Sequence, residues 1–176
     1  MVKVVIGISV VLIFFIIILI VFNNKFKFAI IKINEAENNL DILLIKKLDL
    51  LERTVPIIKK ELKLEDFLGE LSNIDKTNLN HFQLNEILKS EHSELYRTLE
   101  EHEKLFKSEA LNRILTELSD NEEAILGSVR YYNDNVVIFN HLVSAFPSKL
   151  VAFFHHYKKK NFYNDEDKEM YEILGK

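Results

Sequence analysis

Cysteine and tryptophan are absent from the 176 residues, and glycine (4) and proline (2) are scarce. Without cysteine the chain forms no disulfide, no zinc–thiolate site and no thiol nucleophile. So few turn residues leave little to punctuate an all-β fold, while Leu, Ile, Glu, Lys and Asn recur throughout, so helix is the default. An excess of positive charge is also missing: 23 Lys and Arg against 27 Asp and Glu give a net charge of -4. A nucleic-acid binder presents a basic face that displaces counterions from phosphates, so no nucleic-acid partner is expected. Gly-x-Gly-x-x-Gly, P-loop, Gly-x-Ser-x-Gly and His-Glu-x-x-His motifs do not occur, which removes the familiar dinucleotide, nucleotide, esterase and zinc-protease chemistries. The length suits one domain plus an anchor.

What is present begins with Val4 to Phe22, nineteen uncharged residues in which only Gly7 and Ser9 interrupt Val, Ile, Leu and Phe. At about 1.5 Å per residue the run spans roughly 28 Å, close to the hydrocarbon thickness of a bilayer. A cleavable signal peptide has a shorter apolar stretch and a small-residue cleavage site, and Phe22-Asn23-Asn24-Lys25 offers none. Residues 1–24 therefore read as a retained transmembrane anchor in contact with membrane lipid. Lys25, Lys27 and Lys32 follow the run and only Lys3 and the α-amine precede it, so the positive-inside rule predicts a single-pass cell-membrane protein with its C-terminal body in the cytoplasm.

Beyond the anchor the apolar pattern becomes helical. Ile33, Ala36, Leu40, Leu44, Leu48, Leu51, Val55, Ile58 and Leu62 step by three and four, predicting an amphipathic helix from about Lys25 to Leu64 that can continue the membrane helix, with a bend at Pro56. Gly69, Ser72, Asn73, Asp75 and Asn78 predict a loop, and Asn80 with Gln83 a helix start, so that a second helix covers roughly Asn80 to Leu105. The third is the most regular: Leu111, Leu115, Leu118, Glu122, Ile125, Val129, Tyr132, Val136, Phe139, Val143 and Phe146 keep a heptad repeat, with Ser108 as a cap and Phe146-Pro147 as a stop. The expected fold is all-α: an N-terminal transmembrane helix, an antiparallel, coiled-coil-like bundle of three long helices over residues 25–147, and a short helical C-terminal tail over 148–176. Three helices that leave, return and leave again would put Phe146 at the end remote from the anchor.

Tyr132-Asn133, Val136, Phe139-Asn140, Val143, Phe146-Pro147 and Leu150 resemble the C-terminal signature of the LemA family, a tyrosine–asparagine pair, an aromatic–asparagine pair seven residues later, then phenylalanine–proline. Leu48 to Leu62 with Pro56 resembles that family's first helix, as does the order of anchor before bundle. The pattern departs at His102-Glu103 and at Val129, with Arg130 one place later. The resemblance implies a bacterial, membrane-tethered helical bundle without an established enzymatic activity. It also points to an envelope protein partner, a membrane protease or a TPM-domain protein being the class suggested, and it leaves homo-oligomers open.

The candidate partner or register face is Tyr132, Asn133, Val136, Phe139, Asn140, Val143, Phe146 and Pro147, where Asn133 and Asn140 form either a polar ladder or ordinary amides flanking the seam. His92 and His102 can share a stripe with Leu88, Leu95, Leu99 and Phe106, but no histidine has glutamate three residues before it, as a di-metal bundle would need. No cofactor, metal site or catalytic residue is expected, and Glu100, Glu101, Glu103, Glu122 and Glu123 read as a solvated face. A non-catalytic scaffold or adaptor is thus the leading function. The alternative is an enzyme or metal-dependent accessory subunit using Glu122, Glu123 and the histidines. In the tail, Leu150, Phe153, Phe154 and Tyr157 precede Lys158, Lys159 and Lys160. Aromatics beside cations suit either a cap on the bundle, which would also allow partner docking, or contact with an anionic leaflet, and the remote position of Phe146 favours the former.

Overall fold

The computed structural model describes residues 1–64, 66–74 and 81–163. These form four α-helices, α1 (Val2–Leu62), α2 (His81–Glu101), α3 (Glu109–Ser144) and α4 (Ser148–His155), with 3-10 turns at Gly69–Asn73 and Glu103–Lys107. No strand occurs among the described residues. The anchor run and the first amphipathic stripe are one helix, because nothing between Phe22 and Lys32 breaks it: Asn23 and Asn24 are followed by alternating lysine and phenylalanine. Pro56 lies inside α1, which ends six residues later where Lys63 turns left-handed at φ 54°.

The chain divides into two compact units, Met1–Ala36 with Arg130–Lys176, and Glu37–Val129. In the second unit α1 and α3 run antiparallel. Asn39 meets Ser128, Lys47 meets Glu122 and Arg53 meets Glu117. The predicted stripe is inside at Leu40, Leu44, Leu48, Leu51 and Ile58, and so are Leu88, Leu95 and Leu99 of α2. α2 lies beside α1 in the same direction: His92 is near Glu122, the partner of Lys47, and the last turn of α2, Thr98 to His102, shares a groove with Leu64. The eighteen residues between α1 and α2 exceed the few of a tight helical hairpin and give the chain length to return before α2 starts.

Two sequence expectations shift here. The second helix stops at Glu101, and the Glu103–Lys107 turn sends Leu105 into the core while Phe106 stays exposed. Within the predicted loop, Phe67, Leu68 and Leu71 are buried around the Gly69–Asn73 turn, a cluster too short to show a helical period. Asp75, Asn78 and the predicted cap Asn80 lie outside the described residues. The other cap is present: the Leu111 amide donates to Ser108 Oγ at 3.3 Å, and the Asn112 amide to the Ser108 carbonyl at 3.0 Å.

In the first unit α1 and α3 are again antiparallel, Phe26 packing edge-on against Phe139 with ring centroids 5.6 Å apart. Phe26 is only four residues past Phe22, the last residue of the apolar run, so the C-terminal end of α3 comes back toward that run. This corrects the placing of Phe146 at the remote end. The two longest apolar stripes pair with each other, and the shorter α2 takes no part in that return. Phe146 is also no seam residue: it is 83% exposed, and Leu142 is buried in its stead. After Pro147 the chain bends by 94° into α4.

Candidate functional site

The aromatic–asparagine pairs of α3 hold the chain's own C-terminal segment. In the first unit, residues 157–163 run as a non-helical strip back along α3. Asn140 grips Lys160 with both ends of its amide, Nδ2 donating to the Lys160 carbonyl at 2.9 Å and Oδ1 accepting from the Lys160 amide at 2.8 Å. One heptad earlier, Asn133 Oδ1 accepts from the Tyr163 amide at 2.9 Å, and the Tyr132 hydroxyl donates to the Asn161 carbonyl at 3.1 Å. The aromatic members pack the same strip: Phe139 meets Tyr157 at 5.8 Å, Tyr132 meets Tyr163 at 6.0 Å, and Tyr157 closes on Phe26 at 4.9 Å.

A heptad spacing does this because residues seven apart lie on one side of a helix, about 10.5 Å apart along its axis, a distance an extended chain covers in about three residues. Lys160 and Tyr163 are three residues apart. The amides are thus a two-point clasp. An isolated non-helical strip leaves its backbone groups unpaired, and a buried one needs side-chain partners of this kind. Of the remaining predicted face, Val136 is buried in the same core, Val143 is half-buried, and Phe146 and Pro147 lead into α4. Asn140→Ala should cost about 1–3 kcal/mol by leaving the part-buried Lys160 amide and carbonyl without partners. Hydrogen exchange is the check: the Lys160 amide should lose protection while amides in the middle of α3 keep theirs.

The tail residues separate into two faces. Ser148, Val151 and Ala152 of α4 are buried, whereas Phe153 is 77% and Phe154 65% exposed. A cap made of Leu150, Phe153 and Phe154 is therefore corrected to one made of Val151 and Ala152, with Tyr157 beyond the helix packed inward. Lys158 and Lys159 are exposed, and Lys160 is bound through its backbone. A groove of about 980 Å³ opens beside the clasp, with Phe28, Ile138, Leu142 and Phe162 in its wall and Lys25 and Lys159 at its rim.

The second unit holds the buried charge. Glu122 forms an ion pair with Lys47, whose side chain is 1% exposed, and His92 Nδ1 lies 3.6 Å from the same carboxylate. Burial pushes the Lys47 ammonium below the ordinary lysine value although Glu122 opposes the shift. Burial, helped by Lys47, likewise holds the His92 imidazole below 6.5. Glu123 points to solvent, as do Glu100, Glu101 and Glu103. His102 is not brought to Glu122, and no group of three metal-ligating side chains exists among the described residues.

Lys47 was missed in the sequence, as were Asn121 and Ser128. The signal that finds them is the unbroken step of seven. Phe26, Ile33, Leu40, Lys47 and Thr54 make one fully buried row of α1, and Ile114, Asn121, Ser128, Asn135 and Leu142 a second row of α3. The polar members find partners in the folded chain: Asn121 Nδ2 donates to the Leu43 carbonyl while its buried Oδ1 has no protein partner, Ser128 Oγ accepts from Asn39, and Thr54 donates to the Leu51 carbonyl.

Fold and site together define an all-helical protein with one long apolar N-terminal helix and a C-terminal strip clasped by aromatic–asparagine pairs. The family model of the LemA family matches residues 36–173. The chain belongs to the LemA family, and the apolar run at residues 4–22 precedes the matched region. Comparison with curated proteins and with solved structures gave no match.

Proposed function

We propose that this protein is a single-pass, membrane-anchored scaffold or adaptor that acts by presenting its helical body to an envelope protein partner, without catalysis of its own. One observation carries the reading. The polar side chains that drew attention in the sequence are engaged in holding the fold: Glu122 with Lys47, Asn133 and Asn140 with the tail backbone. The family resemblance suggests a membrane protease or a TPM-domain protein as the partner class. The lysines after the apolar run support a cytoplasmic body. A phosphatase fused after Gly175 should then be inactive outside the cell, and strong external activity would reverse the orientation.

The role itself is tested by replacing the polar cluster. A Lys47→Met/Glu122→Leu double variant, and separately His92→Gln, should complement a deletion strain as the parent does. If either accumulates as a folded membrane protein yet fails to complement, the alternative of an enzyme or metal-dependent subunit built on Glu122 and His92 takes over.

A further inference from the structure

The exposed face of α4 has an unusual make-up for a helix of this size. Leu150, Phe153 and Phe154 follow the i, i+3, i+4 spacing of one helical stripe, Phe146 precedes them in the turn before α4, and all four are on the outside, while Val151 and Ala152 fill the inward side. The bulkier apolar face is thus the one left uncovered. Phe153 and Phe154 also meet edge to face at 5.9 Å, making one continuous ridge.

Three features of the first unit say what covers this ridge. α3 runs antiparallel to α1 there, and α4 is turned 94° from α3. A helix roughly perpendicular to the anchor's axis lies roughly in the plane of a membrane the anchor crosses. Its height fits as well. Phe139 is level with Phe26, and Ser144 is five residues further along α3, roughly 7.5 Å back toward the anchor. That places the end of α3, from which the chain turns into α4, level with Val21, next to the end of the uncharged run at Phe22. Finally, the flanking charge is positive: Lys149 on α4, Lys158 and Lys159 after it, and Lys25 and Lys27 on α1 are all exposed. An in-plane helix with an apolar ridge and cationic flanks matches the headgroup region of an anionic leaflet.

We infer that α4 is a second membrane contact, with Phe146, Leu150, Phe153 and Phe154 inserted into the same leaflet that the N-terminal helix leaves. The inference rests on the anchor reading above. The contact gives the first unit two points of attachment, and it orients the clasped strip, which starts at the leaflet and runs away from it along α3.

The natural absence of cysteine makes the test direct. Single-cysteine variants Phe153→Cys, Phe154→Cys, Arg130→Cys and Leu12→Cys of the full chain would carry an environment-sensitive fluorophore in vesicles of mixed zwitterionic and anionic phospholipid. Arg130 is exposed and lies fourteen residues, roughly 21 Å, up α3 from Ser144. Labels at 153 and 154 should be blue-shifted and lose most of their emission to spin-labelled lipid, as the label at 12 does. The label at 130 should instead be quenched by aqueous iodide. If 153 and 154 behave like 130 while 12 stays in lipid, α4 is not a membrane contact and the anchor stands. If 12 itself reads water, the anchor reading fails and this inference with it. Shielding of 153 and 154 from both quenchers would mean a protein cover, which also overturns the proposal.

Discussion

Phe139→Ala should lower the unfolding free energy by about 3–5 kcal/mol. The ring is 3% exposed and sits where α1, α3 and the C-terminal strip converge, against Phe26 at 5.6 Å and Tyr157 at 5.8 Å. Truncation removes the transfer term for a buried ring and opens a cavity that three packed elements can fill only by moving. It also withdraws one of the two rings that pack Tyr157 from α1 and α3, so the near end of the strip keeps only Phe26 as its aromatic partner on those two helices. Glu101→Ala, on the solvated end of α2, should stay within about 0.5 kcal/mol. Urea unfolding of the two variants in the same lipid environment compares them, and equal midpoint shifts would mean that the seam of α3 faces elsewhere.

A loss of similar size is expected when Glu122 is replaced by alanine, for a different reason. Lys47 would remain buried with a positive charge and no anionic partner, and breaking a buried pair in this way costs about 3–5 kcal/mol. The Lys47→Met/Glu122→Leu variant removes both charges and should be near neutral or more stable than the parent. If single and double variants lose the same amount, the pair is not isolated in the core. The pH response follows the same logic. The folded state holds Lys47 and His92 below their ordinary values, so the unfolded chain binds more protons in the intervals between, and stability rises with pH across each. For His92 that gain builds up from its lowered value to 6.5 and is lost on acidification through the same range. Glu91, raised above 4.5 by burial and then by Glu70, works in the opposite sense. The difference between the parent and His92→Gln therefore isolates the histidine.

The periodic parts of the fold could be read in the residues because helix packing depends on spacing that apolar side chains display. Leu40, Leu44, Leu48 and Leu51 announced their helix, and Leu118, Ile125, Tyr132 and Phe139 theirs. Lys47, Asn121 and Ser128 occupy equally buried places in the same rows, yet polarity disguised them, since their burial depends on partners that only the folded chain supplies. The direction of α2 was hidden for another reason: a connection of eighteen residues permits either sense. The asparagines of α3 were legible as conspicuous but not as bound, because the strip they hold has no period of its own. It takes its shape from α3.

The unbroken passage of α1 from the apolar run into the packed part of the first unit leaves no swivel after Phe22. Helical phase and height are therefore set by residue count. One residue inserted between Phe22 and Asn23 would turn the packed part of the first unit by about 100° about the apolar run, and seven would restore the phase but lift it by about 10.5 Å. A bilayer thicker or thinner than the run would act on the unit in the same way, by tilt or by height. With the proposed anchoring and the inferred α4 contact, the apolar run is a ruler as well as an attachment, and α4 is the mark at which its length is read.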